Sequence, residues 1–302
     1  MNTRIARIAL AVTLSMALTA CTAQKPITKL EPTTATQKLD PGLSHLWFND
    51  WAGPEVPVWV YVPHSANPKS APIMFMLHGA KRGAARYLSE WDNLAEEHGF
   101  IVVAPEFTRD NFATSRRYNS GNVFEKDGTR NPENVWSFSA IEPIFDRIKA
   151  DLGSAQTHYT MFGHSAGSQF VHRFMFYKTD TRAKRFLLAN AGWYTMPDRQ
   201  QNHPYGLRNT GVSQAHLEHI LKSDVVVLLG DQDNDAAHES LRRTPEANVQ
   251  GPHRFARGQS FFAAGKRLAQ EQGIQFGWRL RVVPGVAHSN GGIAQAAFDL
   301  VD

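Results

Sequence analysis

Three short clusters in this chain carry residue types that could perform acyl transfer together. The first is Gly163-His164-Ser165-Ala166-Gly167, a G-x-S-x-G pentapeptide. It lies between an apolar run at 158–162 and a segment in which Ala166, Phe170, Val171, Phe174 and Met175 recur at helical spacing. A serine on such a strand-to-helix turn has its hydroxyl lifted above the sheet, and the helix N-terminus behind it favours developing negative charge. The second cluster, Gly230-Asp231-Gln232-Asp233-Asn234-Asp235, follows the apolar run 225–229. The third, Pro284 through Asn290 with His288 inside it, follows the alternating run 278–283. A serine hydroxyl attacks poorly until a base takes its proton, and the base needs a third group to orient it. Ser165 is the expected nucleophile and His288 the expected base, with Asp231, Asp233 and Asp235 competing as the orienting acid. The pentapeptide alone is weak evidence, since a chain of this composition contains one by chance roughly once in ten. The coincidence of three signals at independent strand ends is far more specific.

These groups need a scaffold that gathers strand ends, and the chain reads as one. Residues 56–62, VPVWVYV, suggest an antiparallel strand near a sheet edge, paired with the 46–48 region. Residues 72–77 are a continuous apolar run, as a strand buried on both faces should be, and 100–104, 158–162, 186–191 and 225–229 read as further buried strands. The run 278–283 alternates arginine with apolar residues and suggests an edge strand. Helices are expected at 84–98 and 137–152, each closed by a glycine, and also after Ser165. Others are expected at 213–221, at 255–272 before Gly273, and at 291–300. Residues 110–134 read as a long surface loop, and 192–211 as an irregular insertion after the sixth strand. Strands alternating with helices argue for an α/β fold with a mainly parallel sheet and helices on both faces.

At this point residues 43–302 resemble the α/β-hydrolase superfamily, in which the order is serine, acid, histidine. The Leu77-His78-Gly79-Ala80 loop, the G-H-S-A-G elbow and the small insertion look like secreted esterases of the poly(3-hydroxybutyrate) depolymerase and feruloyl esterase kind. The resemblance implies an oxyanion hole built from the N–H of Ala166 and that of Ala80, with Lys81 as the alternative donor. It also implies the acid at G-x-x-D, which is Asp233. The activity it implies is hydrolysis of carboxylic esters, small or polymeric, through an acyl-enzyme and without a cofactor. Two other readings stand beside it. A peptidase or amidase could use the same triad, and a non-catalytic binding protein could keep the fold. The absence of any disulfide partner departs from the secreted esterases.

The N-terminus reads as a targeting segment. Arg4 and Arg7 precede an apolar run at 8–18 that is too short to span a bilayer comfortably. Leu18-Thr19-Ala20-Cys21 then resembles the lipobox of bacterial lipoproteins, which implies cleavage after residue 20 and a lipid on Cys21. The expected organisation is a signal at 1–20, a tether at 21–42 and a hydrolase domain at 43–302, lipid-anchored in the cell envelope. Thr22 leans the sorting toward the outer membrane. Cys21 is the only cysteine, which excludes disulfides, thiolate metal clusters and a cysteine nucleophile. A net charge of +4 without a basic aromatic stripe does not point to nucleic acid.

Metal readings are weak. Asp231, Asp233 and Asp235 resemble a calcium loop, but Ala236 and Arg242 replace the glycine and glutamate that such a loop needs. His216 and His219 could share a helix face without a third ligand for zinc. His78 and His164 are expected to support the site rather than react. Trp193, Tyr194 and Tyr205 could line a substrate pocket or form a capped core cluster.

Overall fold

The computed structural model describes residues 38–302. The signal at 1–20, Cys21 and all but the last five residues of the expected tether lie outside the described residues. Within those five, Leu39 is buried and its amide donates to the Asp151 carbonyl at 3.4 Å. Packed chain therefore precedes residue 43.

Eight strands form one sheet: β1 (Gly42–Phe48), β2 (Val56–Val62), β3 (Ile73–Leu77), β4 (Ile101–Pro105), β5 (Tyr159–His164), β6 (Ala183–Ala189), β7 (Asp224–Gly230) and β8 (Trp278–Val283). Their order is β1-β2-β4-β3-β5-β6-β7-β8. β1 and β2 pair antiparallel, as do β2 and β4, and every other pairing is parallel. The antiparallel edge and the β8 edge match the alternation in their sequences. In β3 and β4, all five residues are buried, as the unbroken apolar runs demand.

Among the described residues eight α-helices accompany the sheet: α1 (Ala84–Leu88), α2 (Asp92–His98), α3 (Ile141–Leu152), α4 (Ala166–Tyr177), α5 (Gln214–Lys222), α6 (Pro245–Val249), α7 (Arg254–Glu271) and α8 (Asn290–Ala294). Side chains alternate across each strand, so the sheet has two cores. Phe75, Met161, Leu188 and Val227 pack with apolar residues of α3, α4, α5 and α7. Met74, Phe162, Leu187 and Val226 pack with those of α1, α2 and α8 on the other face. Gly99 and Gly153 close α2 and α3 in the left-handed conformation, the role their positions predicted. No helix among the described residues is long and apolar enough to cross a membrane.

Three expected elements differ. The helix expected at 84–98 is two, α1 and α2, because the chain breaks to place Trp91 in the core. The Trp91 ring lies 4.7 Å from Phe162 and 6.2 Å from Phe100. The helix expected at 291–300 stops at Ala294 and resumes as one 3-10 turn, Phe298–Leu300. Two glycines in its first turn leave α8 little intrinsic stability. The stretch 110–134 is no mere surface loop, since Phe112, Tyr118, Asn119 and Val123 are buried. The sequence reading also passed over α6, although Thr244 followed by Pro245 is a helix-start signal. The Thr244 hydroxyl accepts from the Ala247 amide.

Three fully buried histidines tie elements together in their neutral form. His172 on α4 donates from Nδ1 to the Ser168 carbonyl at 2.8 Å and accepts the Thr195 amide at Nε2 at 3.0 Å. His78, after β3, donates from Nδ1 to the Gly79 carbonyl and accepts the Phe107 amide at Nε2. Protonation would put a proton where the His78 and His172 rings each now accept one. Burial pushes His78 down to about 3, and it holds His164 and His172 well below the usual 6.5. The unfolded chain thus binds protons that the folded chain refuses as pH falls below 6.5. Each histidine then removes about 1.4 kcal/mol of stability per pH unit. Thermal melts should show Tm constant above pH 7 and falling steeply from pH 6.5 to pH 5. A Tm unchanged over that interval would contradict this account.

Candidate active site

Ser165 sits between β5 and α4 at φ 59° and ψ −115°, a conformation that costs a non-glycine residue about 1–3 kcal/mol. Close packing on both sides holds it there. A Cβ at Gly163 would collide with the Gly167 backbone, and one at Gly167 with the Leu77 carbonyl oxygen. The Ser165 amide donates to the Ala189 carbonyl at 3.0 Å, which ties the turn to the end of β6. All twelve residues of α4 are buried, so the helix cannot recoil to relieve the turn.

His288 lies on the loop after β8. Its Nε2 is 3.0 Å from the Ser165 Oγ, and its Nδ1 is 2.6 Å from the Asp233 Oδ2. A carboxylate only accepts, so Nδ1 carries the ring proton and Nε2 is free to accept from the serine hydroxyl. The histidine side chain is 20% exposed and the aspartate 3%. The second Asp233 oxygen accepts from the Arg254 Nη1 at 3.3 Å. Arg254 is itself buried, and its Nη2 donates to the Ser240 Oγ at 2.8 Å.

The competing acids face elsewhere. The Asp231 Oδ1 accepts the Gly285 amide at 2.8 Å, and the Asp235 Oδ1 accepts the Ala237 amide at 2.7 Å. With these carboxylates committed separately, the aspartates do not converge as calcium ligands. The His216 Nε2 donates to the Met175 carbonyl. No group of three or more metal-ligating side chains occurs among the described residues.

The loop after β3 reaches Ser165. A Cβ on Gly79 would stand 3.8 Å from that of Ser165. Ala80 follows it, and neither the Ala80 nor the Ala166 amide donates to another group among the described residues. Ala166 opens α4, where the first amides have no helical acceptor. His78 supports the loop from below, and its own carbonyl accepts the Tyr118 hydroxyl at 2.6 Å. His164 lies behind the base, its ring 4.6 Å from that of His288, with its Nδ1 3.1 Å from the Tyr87 hydroxyl.

Trp193 and Tyr194 part company. Tyr194 is a core residue, stacked 4.5 Å from Phe261, with its amide and carbonyl both held by Gln250. Trp193 packs on Tyr205 and also faces a surface pocket.

Asn190 and Arg254 are site residues that the sequence reading missed. Asn190 stands at φ 45° after β6. Its side chain accepts the Gly230 amide at 2.9 Å and donates to the Ala287 carbonyl at 3.2 Å, fastening the acid loop to the base loop. An asparagine directly after an apolar strand was the available signal, since asparagine tolerates the left-handed region. Arg254, at a helix start, gave none.

No protein-family model and no curated protein matches the chain. Among solved structures, poly(aspartic acid) hydrolase-1 from Sphingomonas sp. KT-1 is similar at 42% identity and a TM-score of 0.85, over 87% of this chain and 99% of that one. The poly(3-hydroxybutyrate) depolymerase LpqC from Bordetella parapertussis is similar at 32% identity and a TM-score of 0.81, over 86% and 90%. An S-formylglutathione hydrolase from Agrobacterium tumefaciens, at 17% identity and a TM-score of 0.56 over 90% and 96%, shares the fold.

Activation of Ser165 along this line of hydrogen bonds would require both His288 and Asp233. Labelling by a fluorophosphonate probe should therefore slow by roughly 10³–10⁴ in Asp233→Asn. Asp231→Asn and Asp235→Asn should label within about threefold of wild type. Equal slowing in all three variants would remove Asp233 from its place.

Proposed function

The chain belongs to the α/β-hydrolase superfamily, and from that premise we propose that this serine hydrolase cleaves carboxylic esters through an acyl-enzyme on Ser165. The observation that carries the reading is the unbroken line of hydrogen bonds from the Ser165 hydroxyl through His288 to Asp233. His288 Nε2 takes the hydroxyl proton as Oγ bonds to the ester carbon. The carbonyl electrons move onto oxygen, which lies against the Ala80 and Ala166 N–H groups. Collapse of the tetrahedral species breaks the bond to the alcohol, and His288 returns the proton to that leaving oxygen. Water then repeats the sequence on the acyl-enzyme, releases the acid and restores Ser165. Asp233 stays ionised throughout and balances the charge on the imidazolium.

A second reading, amide hydrolysis by the same steps, has one specific support. The 42%-identical neighbour is named for poly(aspartic acid), whose units are joined by amides. The two readings differ in the leaving group, alcohol or amine, so an ester and an anilide of the same acyl group separate them.

An envelope anchor belongs to the same proposal. Arg4, Arg7, the apolar run and Cys21 support it.

Ser165→Ala should lower ester turnover by roughly 10⁶-fold while leaving Tm unchanged; a variant that keeps turning over would sink the assignment. Cys21→Ala should move the protein out of the membrane fraction or leave its signal uncleaved. Unchanged fractionation with normal processing would refute the anchor.

A further inference from the structure

Tyr87, buried on α1, touches three separate pieces of the site. Its hydroxyl lies against the backbone of Gly79, where an added Cβ would stand 2.3 Å from the Tyr87 Oη and 3.2 Å from its Cζ. The same hydroxyl is 3.1 Å from the Nδ1 of His164, the residue before Ser165. The Tyr87 carbonyl accepts from the Nδ2 of Asn290 at 3.4 Å, two residues beyond His288. The loop after β3, the serine turn and the base loop therefore all meet one residue of α1.

The contact with Gly79 accounts for the glycine. A Cβ there would stand 3.8 Å from that of Ser165, an ordinary van der Waals separation. The tyrosine hydroxyl, and not the serine, is what forbids a side chain at this position. In the proposed mechanism the next residue, Ala80, supplies an oxyanion donor. The group that sets where Gly79 lies thus sets where that N–H lies.

The contact with His164 bears on the base. The His164 ring is buried and its Nε2 has no hydrogen-bond partner, so the Tyr87 hydroxyl is the ring's one hydrogen-bonding contact among the described residues. That ring lies 4.6 Å from the ring of His288. Burial pushes the Tyr87 phenol up to about 12 and holds His164 well below 6.5. Both are uncharged near pH 7, and their contact adds no charge beside His288.

We propose that Tyr87 is a positioning residue for acyl transfer, whose hydroxyl spaces the oxyanion loop from the serine turn and fixes the imidazole beside His288, so that donor and base keep one separation. This rests on the serine hydrolase reading. Tyr87 acts through Gly79 and His164, not by touching substrate.

Tyr87→Phe removes one oxygen and keeps the ring. It should lower kcat for nitrophenyl butyrate by roughly 10–100-fold and leave KM within about twofold. The Ki of a trifluoromethyl ketone, whose adduct with Ser165 carries an oxyanion, should rise in step with the fall in kcat. A role in stability alone would lower Tm and leave kcat and Ki unchanged. Turnover and Ki within about twofold of wild type overturn the proposal. Gly79→Ala closes a double-mutant cycle. Because its clash is with the hydroxyl, it should reduce kcat at least tenfold more in wild type than in Tyr87→Phe. Independent, multiplying losses would overturn the proposal as well. A wild type that neither hydrolyses esters nor binds the ketone would count against the hydrolase reading alone. Tm then decides the brace: Gly79→Ala should lower it in wild type and lower it less in Tyr87→Phe, and equal losses reject the contact.

Discussion

The site depends on a close approach of three backbone segments at Ser165. The end of β5, the start of α4 and the carbonyl at the end of β3 meet with no room for a Cβ at Gly163 or Gly167. This crowding forces the serine into its sparsely populated conformation and aims its hydroxyl out of the sheet. The strain persists because α4 is buried along its whole length and packs on β3, β5 and β6. The core therefore holds the turn under load, with the loop after β3 and His288 brought against it.

Around that turn the acid and the imidazole are each held by partners on two sides. Asp233 is buried with one oxygen toward His288 and the other toward Arg254. A buried carboxylate without such partners would be expensive to keep charged. With them, it can hold the base in a single orientation. Asp231 has a different task, since it binds the Gly285 amide and shapes the loop that presents His288. The two aspartates thus divide the labour of aiming one imidazole.

The sequence made the strands legible, because burial on both faces writes itself as an unbroken apolar run. The serine turn and the histidine were also legible, since their chemistry demands particular residue types at strand ends. The choice among Asp231, Asp233 and Asp235 was open in the residues alone. All three lie beyond the same strand, and the turn Gly230–Asp233 decides which one faces the base. The break before Trp91 was hidden because its cause, Phe100 and Phe162, lies on other elements. Arg254 and Tyr118 were hidden for the same reason, as each acts on a group distant in sequence. Residues 110–134 looked polar and solvent-bound, yet Tyr118 and Asn119 turn inward to brace the oxyanion loop and Gln169.

Asn190 has a consequence for how such a site can diversify. One amide side chain joins the root of the acid loop to the root of the base loop, at Gly230 and Ala287. The fastening lies at the strand ends, below the segment that runs from Asp235 to His253. That segment also reaches the site, because its Ser240 holds the Arg254 that holds Asp233. The loop roots are fastened independently of the rest of that segment. Parts of the segment that do not hold Arg254 are free to vary, while a single asparagine keeps the two loop roots in register.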